Sequence, residues 1–304
     1  MFLNSFKMAK KIKAPVRIDF AGGTTDISPF KDTHGGATLN AAINKYIYGR
    51  LRATSRSVSL EYHGDIPTSS GLGTSGVMNL VWLALISQDT NFNSSAKKNN
   101  EKITKKLRAK LAEQVYKIEQ AQNLVGGKQD QYASAFGGIN LWEFKKQKVI
   151  RTPVKLSRDT RKELEDNLVL LYIGKHFSGD SNKFMVENLT KSHEKIKHLN
   201  AIKHLAYDMK TSLEYGYFNL FSNLMNQYTI HRRKLHNSII PSKVESIIKK
   251  ARKNGAKGVK VCGSGNGGSL LVYGDKSRIK RCFSRNKDIK VIDFKFDWNG
   301  LSFY

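Results

Sequence analysis

The sequence of 304 residues contains few cysteines and no long apolar run. Its two cysteines, Cys262 and Cys282, are too few for a disulfide scaffold and lack metal-ligand spacing, so we expect reduced thiols. No apolar stretch reaches the roughly 18 residues that a membrane-spanning helix requires. The first residues, MFLNSFKM, are too short and too interrupted for the apolar core of a secretory signal. We therefore expect a globular, cytoplasmic protein without a membrane segment.

Acidic residues are also scarce: 25 Asp and Glu stand against 52 Lys and Arg, which gives a formal net charge of +27. Such an excess can mark nucleic-acid binding, because basic side chains neutralise backbone phosphates. Here the basic residues are interleaved with Asn and Ser rather than with stacking aromatic residues, and no helix-turn-helix, zinc-finger or RNA-binding pattern is present. We therefore expect no specific nucleic-acid partner, and a positive field that attracts small anions.

A stretch rich in glycine and hydroxyl groups, residues 67–76 (PTSSGLGTSG), directly precedes the apolar run 77–86. Glycines let the backbone approach an anion closely, and the helix that follows directs its positive end toward negative charge. The loop contains no lysine, so it is not a Walker A loop. Taken alone, a turn of this kind is more often a plain connection. Together with the segments described next, it predicts a polyphosphate site.

Two further segments accompany this loop: residues 14–26 (APVRIDFAGGTTD) and 258–273 (GVKVCGSGNGGSLLVY). The three segments, in this order and spacing, resemble the signature motifs of the GHMP kinase superfamily, the group of galactokinase, homoserine kinase, mevalonate kinase and phosphomevalonate kinase. Within it, residues 20–26 and 71–75, and above all 126–138 (GGKQDQYASAFGG), resemble the branch of heptose 7-phosphate kinases. The resemblance spans nearly the whole chain.

The resemblance implies an α+β fold of two domains: a ribosomal-protein-S5-like N-terminal ATP-binding domain and a ferredoxin-like C-terminal domain. We place them at 1–155 and 156–304, joined by the basic segment 145–162. Residue patterns predict helices and strands in a mixed order, with 87–100 as an exposed linker. Strands are predicted at 12–20, 37–52 (one or two strands), 58–62, 139–144, 168–173, 258–261, 269–273 and 289–296. Helices are predicted over 77–86, 102–122 and 130–136, with several more between 182 and 254.

For the nucleotide, the resemblance implies ATP held by the middle loop, through Pro67, Ser69, Ser70, Gly71, Leu72, Gly73, Thr74 and Ser75. It also implies Mg²⁺, which would be held by a hydroxyl of Thr74 or Ser75 and by Glu119. Glu119 stands eleven residues before Asp130, as the family's metal-binding acid stands before its catalytic aspartate. A carboxylate, a hydroxyl, phosphate oxygens and waters are suitable ligands for Mg²⁺. Without the resemblance, Glu119 would be read as a solvated helix residue.

For the chemistry, the resemblance implies that Asp130 is the general base that accepts the proton of the attacking hydroxyl. It also implies that Arg17 lies beside it, keeps it ionised and offsets charge on the transferred phosphoryl group. The residue patterns alone leave two alternatives open. Asp130 could be a helix cap, and Arg17 could be an outward residue on an alternating strand.

The resemblance implies that the acceptor contacts three segments, through Gly23, Thr24, Thr25, Asp26, Lys128, Gln129, Gly263, Ser264, Gly265, Asn266 and Gly267. Galactokinases have Glu-His where this chain has Gly23-Thr24, so galactose is disfavoured. Thr24 and Asn266 stand where related kinases commonly have glycine, and Asn tolerates positive φ. A remote phosphate on the acceptor would need cations, for which Lys175 and His176 are candidates.

The sequence therefore predicts an ATP- and Mg²⁺-dependent kinase that phosphorylates the anomeric hydroxyl of a manno-heptose 7-phosphate. Its expected partners are ATP and a sugar phosphate, and it is expected to be a monomer or homodimer. Two alternatives stay open: another small-molecule GHMP kinase of the fucokinase, galactokinase or mevalonate kinase type, and a non-catalytic protein of this fold that binds a ligand.

Overall fold

The computed structural model describes residues 10–53, 57–87, 103–146, 148–175, 188–189 and 191–304. Its strands are β1 (Lys10–Ala21), β2 (Gly36–Ala53), β3 (Val58–Gly64), β4 (Ile139–Lys145), β5 (Lys148–Pro153), β6 (Leu168–Tyr172), β7 (Ala256–Val261), β8 (Ser269–Gly274), β9 (Lys290–Ile292) and β10 (Ser302–Phe303). Its helices are α1 (Phe30–His34), α2 (Thr74–Ile86), α3 (Lys105–Ala121), α4 (Gln129–Phe136), α5 (Arg158–Asn167), α6 (His193–Glu214), α7 (Phe218–Leu235), α8 (Ser242–Lys253) and α9 (Lys276–Phe283), with a 3-10 turn at Asn237–Ile239. This mixture confirms the predicted α+β class.

The first sheet is antiparallel and has the order β10-β1-β2-β4-β5, with β3 also paired to β2. Strand β1 is irregular: its register to β2 shifts between Pro15 and Arg17 and again between Asp19 and Ala21. Bulges of this kind re-aim side chains and are frequent beside active sites. From Ala14 onward every residue of β1 is buried. The strand therefore has no solvent face along this stretch, and the reading of Arg17 as an outward residue is wrong.

The second sheet is also antiparallel, with the order β7-β8-β6-β9. Side chains alternate between its two faces, as strand geometry requires. One face, which includes Leu170 and Leu271, belongs to the main hydrophobic core. The other, which includes Leu171 and Leu270, packs in a second cluster with residues of α8 and α9. The sheet is therefore covered on both sides.

Helices α6 and α7 connect the two sheets, because α6 packs on β1 and β2 while α7 packs on α6 and β7. Their apolar residues share the main core with the first sheet. The end of the chain returns to that sheet as well, where Phe303 of β10 lies opposite Ile12 of β1. The division into domains at residue 155 stays a prediction. Strand β10 belongs to the second predicted domain by sequence but pairs with β1 of the first. None of the helices in the described part of the chain combines the length and apolarity that crossing a bilayer requires.

Two predicted segments differ from the structure. The basic segment 145–162 is not only a join, because it contains β5, which extends the first sheet by pairing with β4. The strand predicted at 289–296 is confined to Lys290–Ile292. Beyond it the chain leaves the second sheet: the carbonyl of Lys295 accepts from the amide of Asn44, and Phe296 forms a single bridge with Ile43. Residues 88–100 of the predicted linker lie outside the described residues, as do residues 101 and 102 at the start of the next predicted helix.

Candidate active site

The two glycine-rich loops pack backbone to backbone. A Cβ atom placed on Gly71 would lie 2.8 Å from the carbonyl oxygen of Cys262, and one on Gly263 would lie 2.8 Å from the Cα of Gly71. A Cβ on Gly268 would lie 2.9 Å from the carbonyl oxygen of Ser70. All three glycines also have positive φ, between 68° and 76°. Residue types with a Cβ are therefore excluded here by space as well as by backbone conformation.

The first of these loops leads directly into helix α2. Gly73, with φ 76°, is the residue before its first turn, and that turn contains no acidic side chain. Its free amide groups and the helix dipole therefore favour an anion. The predicted nucleotide residues divide by exposure. Pro67, Ser69 and Ser75 are at least partly accessible, whereas Ser70, Leu72 and Thr74 are buried supports of the loop.

Arg17 and Asp130 form an ion pair beside this loop. The Nη2 atom of Arg17 lies 2.6 Å from Oδ1 of Asp130, and Nε donates to the same oxygen at 2.8 Å. Nη1 donates to the carbonyl of Gly71 at 2.8 Å, and the backbone amide of Arg17 donates to that of Leu72. Although burial opposes the charged guanidinium, Asp130 and then Asp19 outweigh it and raise the pKa of Arg17. Arg17 is therefore a fixed positive charge at the loop.

Asp130 lies in the first turn of α4, against the glycines of loop 67–76, which is predicted to bind the nucleotide and is called the nucleotide loop below. A Cβ on Gly73 would approach its Cγ to 2.9 Å, and one on Gly76 would approach its Cβ to 3.2 Å. Its side chain makes no capping hydrogen bond, and 28% of that side chain is exposed, so the carboxylate is accessible from solvent. The alternative reading of Asp130 as a helix cap is therefore wrong.

The side chain that caps helix α4 is instead that of Asp26, in segment 14–26. Its Oδ2 accepts from the amide of Gln129, the first residue of α4, at 3.0 Å. A Cβ on Gly127 would lie 1.8 Å from that oxygen, which explains a glycine at this position. Burial raises the pKa of Asp26 to about 6, and the charge of Asp130 adds to the effect, although the Gln129 hydrogen bond opposes it. Asp26 and Asp130 are therefore close enough for the charge of one carboxyl group to affect the pKa of the other.

Glu119 is buried, with 8% of the residue exposed, so the solvated alternative is wrong. It accepts hydrogen bonds from Asn79 of α2 at 2.8 Å and from the side-chain amide of Gln131 of α4. Burial is the main cause that raises the pKa of Glu119, and the charge of Asp130 adds to it. Glu119 thus lies where helices α2, α3 and α4 meet, beside the proposed base.

The donor set around Glu119 fits Mg²⁺. Glu119 and Asp130 repel each other electrostatically, and the exposed hydroxyl of Ser75 stands one helical turn before Asn79, which contacts Glu119. A divalent cation would offset that repulsion. Among the described residues there is no cluster of three or more metal-ligating side chains. Mg²⁺ that accompanies a nucleotide needs only one or two carboxylates in addition to phosphate oxygens and water.

A cleft of about 140 Å³ opens between these elements, and it brings most of the predicted acceptor residues together with the ion pair. Its lining includes Arg17, Gly23, Thr24, Asp26, Ile27, Val125, Gly126, Gly127, Gln129, Asp130, Gly263 and Ser264. Gly265, Asn266 and Gly267 do not line it. The amide of Asn266 instead donates to the carbonyl of Ile239, and its φ of 57° agrees with the positive φ considered from the sequence.

Two other predicted acceptor residues turn away from the cleft. Lys128 is buried, and its Nζ lies 2.7 Å from the carboxylate of Glu113 and over the ring of Tyr116. Thr25 is fully buried, and its hydroxyl donates to the carbonyl of Gly22 and accepts from the amide of Ala37. Their side chains hold the fold around the cleft. Lys175 is exposed, and His176 lies outside the described residues.

The sequence reasoning missed a buried ion pair behind the cleft. Nζ of Lys260 lies 2.8 Å from Oδ2 of Asp19, both residues are almost completely buried, and the amide of Gly263 donates to Oδ1 of Asp19. The sequence gives only one indication that Lys260 is buried. It lies between two valines in the apolar strand GVKV, where a charged residue indicates a buried partner. The pair joins β1 to the second glycine loop.

Comparisons with known proteins identify the same family. A model of the GHMP kinases N terminal domain matches residues 38–138, and one of the GHMP kinases C terminal domain matches residues 209–288. The first range contains the nucleotide loop, Glu119 and Asp130, and the second contains the other glycine loop. Together the two models cover more than half of the chain.

Whole-length relatives agree with this assignment. The chain is 24% identical to D-glycero-alpha-D-manno-heptose 7-phosphate kinase of Campylobacter jejuni, over 96% of this chain and 97% of that protein. A crystal structure of D-glycero-D-manno-heptose 1-phosphate kinase from Bacteroides thetaiotaomicron superposes with a TM-score of 0.74, 24% identity and coverage of 98% and 99% of the two chains. Galactokinase of Lactococcus lactis in complex with galactose superposes with a TM-score of 0.71 at 15% identity, over 98% of this chain and 95% of that one. With both domain models matched in order, this protein belongs to the GHMP kinase family.

Proposed function

We propose that the protein transfers the γ-phosphoryl group of ATP to the anomeric hydroxyl of D-glycero-D-manno-heptose 7-phosphate and so forms the 1,7-bisphosphate. The observation that carries the proposal is the Arg17–Asp130 pair, which lines one cleft with Asp26 and adjoins the nucleotide loop. Phosphoryl transfer needs in-line positioning and charge stabilisation more than covalent help from the protein. The cleft supplies groups for both.

In the proposed reaction, the anomeric oxygen attacks the γ-phosphorus, and the bond from that phosphorus to the bridging oxygen of ADP breaks. Asp130 accepts the proton of the attacking hydroxyl. Arg17 keeps Asp130 ionised and faces the transferred group with a fixed positive charge. Asp26 accepts hydrogen bonds from hydroxyls of the sugar. Glu119 and Ser75 would hold Mg²⁺, which, when bound, neutralises charge on the phosphates.

Two relatives support a heptose monophosphate as the acceptor, but their names differ in the position of its phosphate. The Campylobacter jejuni protein is named a heptose 7-phosphate kinase, and the Bacteroides thetaiotaomicron structure a heptose 1-phosphate kinase. The small pair Gly23-Thr24 lines the cleft in this chain, which is a reason against a galactose acceptor. Residues 126–138 resemble the heptose 7-phosphate kinases, so we propose the 7-phosphate as acceptor and include the 1-phosphate in the test.

The test is an assay of ADP release over a panel of acceptors: both heptose monophosphates, the unphosphorylated heptose, galactose, fucose and mevalonate. We expect turnover with heptose 7-phosphate, and Asp130→Asn should lower kcat by about 100-fold or more. Asp159→Asn is the matched control, because Asp159 lies in the first turn of α5 and is exposed. Product analysis should find the new phosphate on the anomeric carbon.

The other results are equally informative. Turnover of fucose, galactose or mevalonate in place of the heptose phosphates would assign the protein to another substrate class of the family. Ligand binding without turnover of any acceptor would favour a non-catalytic role. Equal rates for wild type and Asp130→Asn would remove Asp130 from the role of base.

A further inference from the structure

Arg232 of α7 is a buried guanidinium that forms no ion pair with any residue the structure describes. Only 1% of the residue is exposed, and within the described part of the chain no carboxylate lies at ion-pair distance from it. Its Nε atom is buried without a hydrogen-bond partner. Three other buried cations near the cleft differ: Arg17 pairs with Asp130, Lys260 with Asp19, and Lys128 with Glu113. Burial of an unpaired charge is unfavourable, and a bound anion would compensate it.

The groups that Arg232 contacts form one wall of the cleft. Its Nη2 donates to the carbonyls of Gly263 at 3.0 Å and Ser264 at 2.8 Å, and Nη1 donates to Oγ1 of Thr24. Thr24, Gly263 and Ser264 all line the cleft. Because Oγ1 of Thr24 accepts from the guanidinium, the hydroxyl proton of Thr24 is available to an acceptor atom in the cleft. A donor polarised by a cation suits an anionic acceptor.

The backbone of Thr24 supports a role of this kind. Thr24 has φ 80°, in the left-handed region that β-branched residues rarely adopt. Such strain persists where the surroundings hold the residue, and it concentrates at functional sites. Glycine would adopt the same φ without strain, but it would remove the hydroxyl that Arg232 contacts. The sequence thus keeps a strained hydroxyl residue at the cleft wall.

We propose that Thr24 and Arg232 form the subsite for the phosphate group that the acceptor already carries, as distinct from the phosphoryl group that is transferred. Thr24 donates its hydroxyl proton to a phosphate oxygen, and Arg232 compensates the phosphate charge from behind the wall. The proposal rests on the proposed function for its ligand, a sugar phosphate. It assigns the remote phosphate to α7 and the 20–26 motif instead of to Lys175, which is exposed.

One test of the subsite needs no turnover. Inorganic phosphate is titrated against chloride at constant ionic strength while the melting temperature is followed, with a non-hydrolysable ATP analogue and Mg²⁺ present to fill the nucleotide loop. Phosphate should stabilise wild type and should not stabilise Arg232→Met. Lys234→Met is the matched control, because it removes one positive charge from an exposed position of the same helix, and it should respond as wild type does.

Thr24→Gly provides a second test, which does not depend on the folding of Arg232→Met. Relief of the positive φ should raise the melting temperature without ligand, whereas loss of the hydroxyl should raise the KM for the heptose phosphate at least about tenfold. The KM for ATP should change little. A purely structural role of Thr24 predicts no increase in the KM for the acceptor.

The inference fails if phosphate stabilises Arg232→Met as much as wild type, or if it does not stabilise wild type. It also fails if the heptose phosphate is turned over with the same KM by wild type and Thr24→Gly, and in that case the proposed function stands. If no acceptor is turned over, the proposed function fails, and the phosphate titration alone decides on the subsite.

Discussion

Arg17 ties the proposed base Asp130 to the nucleotide loop: a single guanidinium lies 2.6 Å from Oδ1 of Asp130 and donates to the carbonyl of Gly71 at 2.8 Å. The two contacts use different nitrogen atoms of a planar group. Lysine has one nitrogen on a flexible stem and cannot reproduce this fork. The pair therefore couples the geometry of the nucleotide loop to the position of the Asp130 carboxylate.

We expect Arg17→Lys to retain the fold but to lower kcat by roughly 100-fold, because charge is kept while orientation is lost. Arg17→Met should in addition destabilise the fold by roughly 2 kcal/mol, less than the loss for a fully buried pair because Asp130 is 28% exposed. Steady-state kinetics and thermal melting measure the two effects. Arg158→Lys, at an exposed position, is the control. A kcat of Arg17→Lys equal to that of wild type would contradict the coupling.

The conformation of Gly73 leads to a second prediction. A Cβ at this residue, which has φ 76°, would lie 2.9 Å from Cγ of Asp130. We expect Gly73→Ala to destabilise the protein by about 1–2 kcal/mol through the left-handed backbone alone, and to displace Asp130 so that kcat falls. Gly126→Ala is a matched control, since its Cβ would meet no atom within 4 Å, and its melting temperature should stay unchanged. Equal melting temperatures for the two variants would refute the steric argument.

The motif residues could be predicted from the sequence because backbone constraints at these positions allow only certain residue types. The glycine loops had to contain glycine where two backbones approach each other, as at Gly71 and Gly263. The burial of Glu119 could also be predicted, since it continues the series of buried residues 107, 111 and 115 at the same spacing of four. A carboxylate at a buried position of a helix indicates a partner or a ligand, and this periodicity could have found it from sequence alone.

The side chains that the sequence misplaced depend on distant partners. Lys128 and Gln129 are neighbours in one motif, yet Gln129 lines the cleft while Lys128 turns to Glu113 on another helix. Asp26 caps α4 although 103 residues separate it from Gln129. Local pattern carries no information on which of two adjacent polar residues meets a partner of opposite charge. That choice is made by tertiary packing.

Glu119 provides a third prediction, on metal dependence. Glu119→Gln should raise the Mg²⁺ concentration needed for half-maximal activity by roughly tenfold or more, because a neutral amide is a much weaker ligand for this cation. Glu113→Gln on the same helix should leave the Mg²⁺ requirement unchanged even if it lowers the melting temperature, since Glu113 is engaged by Lys128. Activity is measured against Mg²⁺ at saturating ATP. Equal Mg²⁺ concentrations at half-maximal activity for wild type and Glu119→Gln would exclude Glu119 from the metal site.

The fourth prediction concerns pH. Asp26 has a pKa of about 6 in the folded protein, against roughly 3.9 in an unfolded chain, so the folded state binds a proton between these values and the unfolded state does not. The stability that this proton contributes is present below about pH 4 and is lost as the pH rises through 6. Asp26→Asn removes the dependence. The melting temperature of the variant, relative to wild type, should therefore be higher at pH 8 than at pH 4.5, by an amount equivalent to roughly 2 kcal/mol.

The same carboxyl group should act in the opposite sense on acceptor binding. In the proposed function, the ionised Asp26 above pH 6 would accept strong hydrogen bonds from sugar hydroxyls, and the protonated group below pH 6 would be a weaker acceptor. The KM for the acceptor should therefore rise as the pH falls through 6, beyond the change that titration of the substrate phosphate itself produces. Asp26→Asn reports that second contribution alone, with a KM already raised at pH 8. If the profiles of wild type and Asp26→Asn differ only by a constant factor, Asp26 does not titrate in this range and both halves of the prediction fail.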